Sequence, residues 1–527
     1  MISHLRAGAE FTKACGAART RSGKSLAETL TIEGVSLWGA AAPVLAGFKF
    51  PKDFARRAPP PWVVRRLRPK LSWAKHRVFD RSLKTKDGSA CGRWPEEAVV
   101  VFLGFSDYMF RDVLAPVVPI VANEHGVRCA VLRDCELAGS TARSTQEGSE
   151  SLCEHWNAQV KSTYIRLQKE YWQRRRELDA GSLKDIVEAV GTCSWERVEM
   201  TFAWMLDVHG PSLLPYLALT WHLFRHHRIA TCVSADVADP RSRLFCLAGR
   251  KFGVPSLEVQ FGMYGDDSVE WAFFAADRAA VWGKAAKRVL MSHGVPEREI
   301  VITGSPRFDE PSRESYLEGQ SARARLGVPD GKSVALFASQ YSLKDYNEFG
   351  DYPQRLRQAK QAFFEATSAV DGLQVVVKPH PLEDVHETRR LAAGSRNVVF
   401  ADPHEDIRRL IPDCDVFVTL GSTATMDALV QRKLVLFLAF PGLVWWDDMY
   451  LKSNATLVAR SEADVVACIR GAIGKDGKLA LGALEAARQR FLADWIGEWG
   501  EGSARRVAHV IAEMRREAPM DSETLSE

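Results

Sequence analysis

Two apolar runs, each stopped abruptly by a polar turn, restrict this chain more than any other feature. Val375-Val376-Val377 runs into Lys378-Pro379-His380-Pro381, and further along Val416-Phe417-Val418 runs through Thr419-Leu420 into Gly421-Ser422-Thr423-Ala424-Thr425. A continuous β-branched run without polar alternation reads as a strand buried on both faces, which is the habit of parallel sheets covered by helices. In open α/β sheets the loops at the carboxyl ends of such strands hold ligands. The two turns are therefore expected to face one crevice. Gly421 permits a close backbone turn, Ser422, Thr423 and Thr425 offer hydroxyls, and Met426 to Gln431 continues with helical periodicity. Free backbone N–H groups and the positive end of a helix dipole would then stand where a phosphate sits. On the first turn Lys378 supplies a mobile cation and His380 a donor that is neutral or charged near pH 7. Taken singly, the first turn also fits a stiff surface loop and the second a helix N-cap.

The chain has 527 residues, 46% of them hydrophobic, which suits two or three cores and is too long for one. Seventy Lys and Arg against 66 Asp and Glu leave a formal charge of +4, so no general nucleic-acid footprint is visible. Ten cysteines are scattered without a Cys-x-x-Cys pair, the pattern of reduced thiols in a cytosolic protein. Met1 to Arg21 has no apolar core of signal-peptide length, so no export is indicated. Val35 to Phe48 is uncharged but shorter than a bilayer span.

Residues 1–95 read as a mostly helical extension broken at Pro59-Pro60-Pro61, where Arg56, Arg57, Arg65, Arg66, Arg68, Lys70, Lys75 and Arg77 interleave with Phe54, Trp62 and Trp73. That mixture suits an anionic membrane surface, or a solvated basic face over the first domain. Residues 96–310 read as a Rossmann-like domain with a helical insertion over about 145–228. Within the insertion, His222, His226 and His227 are expected to be solvent-facing or core histidines in preference to metal ligands, and no metal site is expected anywhere. Residues 311–332 form a polar linker, 333–480 a second Rossmann-like unit, and 481–527 a long helix, about Leu481 to Arg516, returning across the first domain before an acidic tail. The fold class is α/β, with two Rossmann-like domains facing across a cleft.

Asp236, Asp266 and Asp267 stand on first-domain loops facing the expected cleft, where a carboxylate could act as a base; solvated turn carboxylates would look the same. Arg307 follows a strand and Pro306, and fits either an anion-holding role or a brace of the interdomain turn. Trp445-Trp446-Asp447-Asp448-Met449-Tyr450 fits sugar stacking or core packing equally.

Taken together, Trp282-Gly283, Thr303-Gly304-Ser305-Pro306-Arg307-Phe308-Asp309, Leu336-Phe337-Ala338-Ser339-Gln340, Lys378-Pro379-His380-Pro381 and Gly421-Ser422-Thr423-Ala424-Thr425-Met426-Asp427-Ala428-Leu429 resemble bacterial surface-carbohydrate transferases of the GT-B fold. The nearest in pattern are the CDP-glycerol glycerophosphotransferases of teichoic acid synthesis and the capsule-type transferases that use CMP-activated sugars. The resemblance covers about Ala230 to Ala472 and only loosely the first 200 residues. It implies a nucleotide-activated donor on the second domain, a nucleotide-sugar or CDP-polyol, and a glycan or lipid-linked acceptor, with a place in the cytoplasm or on the inner face of the cell membrane. It further implies that His380 contacts the donor phosphate, with Lys378 and Pro381 in the same loop. Gly421, Ser422 and Thr423 would hold that phosphate or its neighbour, and Ser339 and Gln340 would line the base or phosphate pocket. Gln260, Gly262 and Arg307 fall on the acceptor side, and no tightly bound cofactor is implied. Two departures stand out. Phe261 replaces the histidine of a Gln-His-Gly run, which removes an acid/base group, and Asp427 replaces a glutamate that reaches a ribose hydroxyl. The rival readings are a sugar-nucleotide epimerase or hydrolase of the same architecture, and a non-catalytic nucleotide-sugar or glycan-binding scaffold.

Overall fold

The computed structural model describes residues 4–47, 94, 97–134, 149–236, 238–263, 269–309, 321–341, 352–381, 383–443, 448–500 and 502–517. The expected basic-aromatic stretch around Arg56 to Arg77, the carboxylates Asp266 and Asp267, Trp445 and Trp446, and the acidic tail all lie outside them.

The amino-terminal extension is a helix, His4–Ala17, a hairpin of β1 (Thr31–Ile32) and β2 (Val35–Ser36), and a helix Leu37–Gly47. Phe11, Cys15, Leu37 and Trp38 bury themselves in one core with the helical layer described below. The hairpin interrupts an extension that is otherwise mostly helical, as expected. Glu33 and Gly34 turn it, both with positive φ.

The first sheet has seven strands: β3 (Val99–Gly104), β4 (Arg128–Arg133), β5 (Ser149–Ser151), β6 (Ile229–Ser234), β7 (Ser256–Val259), β8 (Arg278–Val281) and β9 (Ile300–Ile302). Every pair is parallel, in the order β5-β4-β3-β6-β7-β8-β9. The second has six: β10 (Ser333–Ala338), β11 (Leu373–Lys378), β12 (Val398–Phe400), β13 (Val416–Thr419), β14 (Leu434–Leu438) and β15 (Leu457–Ala459). It is also wholly parallel, in the order β12-β11-β10-β13-β14-β15. Both sheets are doubly wound. Strand order reverses between β3 and β6 in one and between β10 and β13 in the other, the places where open α/β sheets leave a crevice at their carboxyl ends.

Period-two alternation explains why unbroken apolar runs suit these strands. On the second sheet Ala335, Phe337, Val375, Val377, Val416 and Val418 enter one core. Their sequence neighbours Val334, Leu336, Val376 and Phe417 enter the core on the opposite face. With helices on both faces neither set meets water, so no polar alternation is needed. The first sheet divides likewise, Val99, Val101 and Leu103 facing one core and Val100 and Phe102 the other.

Helices Ala158–Arg176, Ala180–Val190, Trp195–Trp204 and Gly210–His226 form a layer over the first of these faces. The helical insertion expected over about 145–228 begins with the short strand β5, which joins the sheet edge. His222 and His226 stand ring to ring at 4.4 Å, with His155 and His227 6.0 Å apart. Burial and the neighbouring histidines push His222 and His227 down to about 4, so both are neutral near pH 7.

The return segment is two helices, Gly474–Trp495 and Ser503–Glu517, and not the single helix expected from Leu481 to Arg516. Gly497, Gly500 and Gly502 all take positive φ at the break. Such backbone is open to glycine and strained for other residues, so the chain turns sharply here. Beyond the turn Val507, Val510, Ile511 and Met514 pack under the first sheet with Val100, Phe102 and Val233.

Candidate active site

The loops at the second reversal point contain most of the residues singled out from sequence. After β10 come Ser339, Gln340 and Tyr341; after β11 comes the Lys378 to Pro381 turn; after β13 comes Gly421-Ser422-Thr423, leading into helix Ala424–Val430. Pro379 and Pro381 lack the N–H that a further ladder rung needs, so β11 ends there. Gly421 turns at φ +112 and donates its N–H to the Thr419 hydroxyl at 3.0 Å. The Ser422 hydroxyl accepts from the Ala424 N–H at 3.2 Å, and the Tyr450 hydroxyl braces the turn by donating to the Ser422 carbonyl at 3.2 Å. Tyr450 is buried, so this end of the aromatic run packs in the core.

The turn after β11 differs from expectation at its lysine. Lys378 is 6% exposed, and its ammonium donates to the carbonyls of Pro379 and Pro403, both at 2.7 Å. It braces the loop and is no mobile cation. Its basicity is lowered, chiefly by burial. His380 stacks on the Tyr341 ring at 4.3 Å, and burial first, then the Lys378 charge, lowers its pKa. Near neutral pH it is an uncharged imidazole. Sequence reasoning missed the carboxylate that ties these loops together. Glu383 accepts from the His380 N–H at 3.0 Å, the Ser339 hydroxyl at 2.7 Å, the Lys360 ammonium at 2.6 Å and the Thr388 hydroxyl. The Gln340 amide oxygen is buried without a partner among the described residues, an acceptor left open beside this loop.

Across from these loops stand the carboxyl ends of the first sheet. A β-carbon placed on Gly262 would lie 3.6 Å from the Thr423 hydroxyl, so the loop after β7 meets the turn after β13 directly. Gln260 does not reach the cleft as an acceptor-side group. It is 1% exposed, donates to the Gly262 carbonyl at 2.8 Å and accepts from the Trp282 N–H at 2.8 Å, while the Trp282 indole donates to its carbonyl at 2.8 Å. Its role is to shape the loop that presents Phe261 and Gly262. Tyr108 stands edge-on to Phe261 at 5.1 Å. Asp236 follows β6 at the first reversal point and takes a 3.2 Å bond from the Ala238 N–H. Burial, then the charge of Asp239, pushes its carboxyl up to about 6. The Tyr108 phenol is raised in turn, by partial burial first and the Asp236 carboxylate second, with the Tyr341 phenol of the opposite domain a smaller contributor. Tyr108 thus has Phe261 beside it and Asp236 within electrostatic reach on the first domain, and it also feels Tyr341, which stacks on His380 in the second.

Arg307 takes the bracing alternative, and the expectation for Asp427 is corrected with it. Asp427, expected among the donor-binding residues in place of a longer glutamate, is 3% exposed and receives the Arg307 fork on both oxygens, at 3.1 and 2.9 Å. The third Arg307 nitrogen donates to Asp112 at 2.6 Å. Asp112 also accepts from Arg408 at 2.8 Å and from Arg111 at 2.9 Å. These residues span the first and second domains. Arg307 is therefore the interdomain brace, through Asp427 and Asp112. Asp309 instead accepts from the Ser503 and Ala504 N–H groups at 3.1 and 2.9 Å, capping the last helix. A separate groove of about 770 Å³ lined by Arg355, Phe440, Pro441 and Ser461 contains none of the cleft residues.

Two doubly wound parallel sheets with opposed carboxyl ends make a GT-B-like architecture. Residues 284–440 match the family model described as CDP-Glycerol:Poly(glycerophosphate) glycerophosphotransferase. On that match the chain is a transferase enzyme, and the matched segment carries both the His380 and the Ser422 loops. No curated protein matches the chain. Solved structures similar to it include a UDP-GlcNAc 2-epimerase from Neisseria meningitidis bound to UDP-GlcNAc, at 12% identity and TM-score 0.48, covering 80% of this chain and 99% of that one. The MnaA-UDP structure from S. aureus is 14% identical, with TM-score 0.48 and coverage of 81% and 100%. The lipopolysaccharide outer core galactosyltransferase WaaB is 11% identical, with TM-score 0.42 and coverage of 79% and 99%. At such identities and scores the chemistry has to come from the residues themselves. Among the described residues no helix is long and apolar enough to cross a membrane.

Proposed function

We propose that the chain transfers a glycosyl or polyol-phosphate unit from a CMP-, CDP- or UDP-linked donor to a hydroxyl of a surface glycan or lipid-linked acceptor. The observation that carries this reading is the approach of Gly262 to Thr423, which sets the acceptor-side loop against the turn after β13. In this reading the Ser422 and Thr423 turn and His380 hold the donor phosphate, while Gln340 offers its open acceptor to the base or phosphate pocket. The acceptor hydroxyl attacks the anomeric carbon of a sugar donor, or the distal phosphorus of a polyol donor, and the bond to the nucleotide breaks. Backbone dipoles, hydroxyls and imidazole stabilise the charge growing on the departing nucleotide, so the reading calls for no tightly bound metal.

Asp236 takes the acceptor proton. With Phe261 in the place of a histidine, Asp236 is the described carboxylate of the first domain poised for the task, because a carboxyl near 6 is ionised at neutral pH and still basic. The basic-aromatic stretch near Trp62 and Trp73 suits work at the inner face of a membrane, where a lipid-linked acceptor would be met.

A thermal-shift panel of CMP, CDP, UMP, UDP, GDP and ADP, run on the wild type and on His380→Ala, tests the donor site. Ligand at a hundred times its dissociation constant stabilises by about 2.7 kcal/mol. The expected result is a shift confined to one base and lost in the variant. No shift with any nucleotide would sink the reading, and binding without turnover on any acceptor would favour a scaffold.

A further inference from the structure

The bonds that shape the proposed donor loop converge on a residue pair that the mechanism above does not use. We propose that Glu383 and Lys360 form a positioning pair, which holds the His380 and Ser339 loops in register and balances the charge of the His380 ring. The inference rests on the reading of His380 as the phosphate contact.

Three elements meet at the pair. Lys360 comes from helix Tyr352–Ser368, Glu383 from the turn after β11, and Thr388 from helix Val385–Leu391. Both charged side chains are almost fully buried, at 6% and 3% exposed. One carboxylate oxygen accepts from Ser339, Lys360 and Thr388, and the other from the His380 N–H. Lys360 also donates to the Thr388 hydroxyl at 3.2 Å. An apolar pair of similar volume would fill the same space at little cost in stability, since burying two charges offsets most of what their attraction returns. A carboxylate, in contrast, ties the loop after β10 to the loop after β11 through a single group. Those loops line the reversal point of the sheet, and small misplacements there are costly to group transfer.

The same carboxylate acts on the imidazole. The Lys378 charge makes His380 less basic and Glu383 makes it more basic. Tyr341 covers the ring, and the charges of Asp406, Glu405, Asp402 and Glu383 all act on Lys378. Lys360 offsets Glu383 from within the second domain. The pair therefore sets how readily His380 takes up a proton when a phosphate arrives.

His380 is followed by NMR in the full chain with ring-labelled histidine, assigned by its loss in His380→Ala. Glu383→Gln removes the charge that supports the imidazolium, so the His380 midpoint moves down. Lys360→Met leaves that charge unbalanced, so the midpoint moves up. Opposite shifts are the expected result, and a passive packing role predicts none. In Glu383→Gln the affinity for the nucleotide that binds the wild type weakens roughly tenfold to a hundredfold. Should Glu383→Gln not fold, Glu383→Asp withdraws the charge from His380 while keeping it for Lys360, with the same downward shift expected. Absent shifts, or shifts of one sign in both variants, overturn the inference. If the wild type binds no nucleotide yet the midpoints part as described, the positioning pair stands and the donor-site reading falls. If the wild type binds, His380→Ala does not, and the midpoints stay put, the reverse holds.

Discussion

Replacing Arg307 by methionine removes the group on which the buried interdomain network turns. Arg307 holds both oxygens of Asp427 and one of Asp112, and all three side chains are nearly excluded from water, at 9%, 3% and 4% exposed. Asp112 keeps two cations in the variant, Arg408 and Arg111. Asp427 keeps no hydrogen-bonded cation among the described residues, only the more distant charge of Arg408, so one buried carboxylate is left without its bonded partner. Stranding a buried charge in this way costs about 3–5 kcal/mol, a large part of the roughly 5–15 kcal/mol that holds a folded domain together. Pairing Arg307→Met with Asp427→Ala removes the stranded charge, and the double variant should recover about 1–3 kcal/mol of the loss. Urea unfolding followed by tryptophan fluorescence measures both, with 15 tryptophans available as reporters. A chain of two domains need not unfold in one step, so midpoints are compared at constant slope. A single variant costing under about 1 kcal/mol, or a double variant as unstable as the sum of the two singles, would refute the brace.

Four further outcomes are expected. Asp236→Asn abolishes the rise in kcat/KM that the wild type shows as pH climbs through about 6; a rise that persists in the variant assigns the base elsewhere. The same carboxyl binds its proton more tightly folded than unfolded, so its contribution to stability declines from the ordinary carboxylate range up to about 6; Asp236→Asn should therefore gain up to about 3 kcal/mol at pH 7 in urea unfolding. Gly421→Ala forces a β-carbon onto a backbone at φ +112, costing about 1–3 kcal/mol in thermal unfolding and weakening nucleotide binding; unchanged binding would detach the turn from the donor. Asp309→Ala uncaps helix Ser503–Glu517 and loses about 1–2 kcal/mol, and chemical denaturation showing no loss would mean that water replaces the cap.

The sheets were legible because their cause is local. A strand covered on both faces needs no polar alternation, so runs such as Val375 to Val377 and Val416 to Val418 declare themselves, and the loops that follow them fall where a parallel sheet puts its ligands. Side-chain destinations were less legible. Lys378 has the composition of a phosphate ligand, but the carbonyl it reaches at Pro403 becomes a neighbour only once β12 lies beside β11. Asp427 finds its cation 120 positions earlier in the chain, and nothing in its own surroundings announces this. Glu383 was half visible, since a carboxylate three residues after His380 can fold back on its amide, while Lys360 reaches it from a different helix. The break in the final helix was in plain sight as Gly497, Gly500 and Gly502. Regular periodicity on either side masked it.

That break has a mechanical consequence. The chain crosses between the domains twice, once after Asp309 and once before Ser503, and the two crossings are stitched together where the Gly500 N–H donates to the Phe308 carbonyl at 3.2 Å and Asp309 caps the helix beyond. A single tether lets two bodies swivel freely about one bond, whereas a double strap behaves as a door hinge, allowing a swing about one axis and resisting torsion. Opening of the cleft should then follow an arc that keeps Gly262 aimed at Thr423 throughout, so that acceptor and donor halves re-register on every closure without a search.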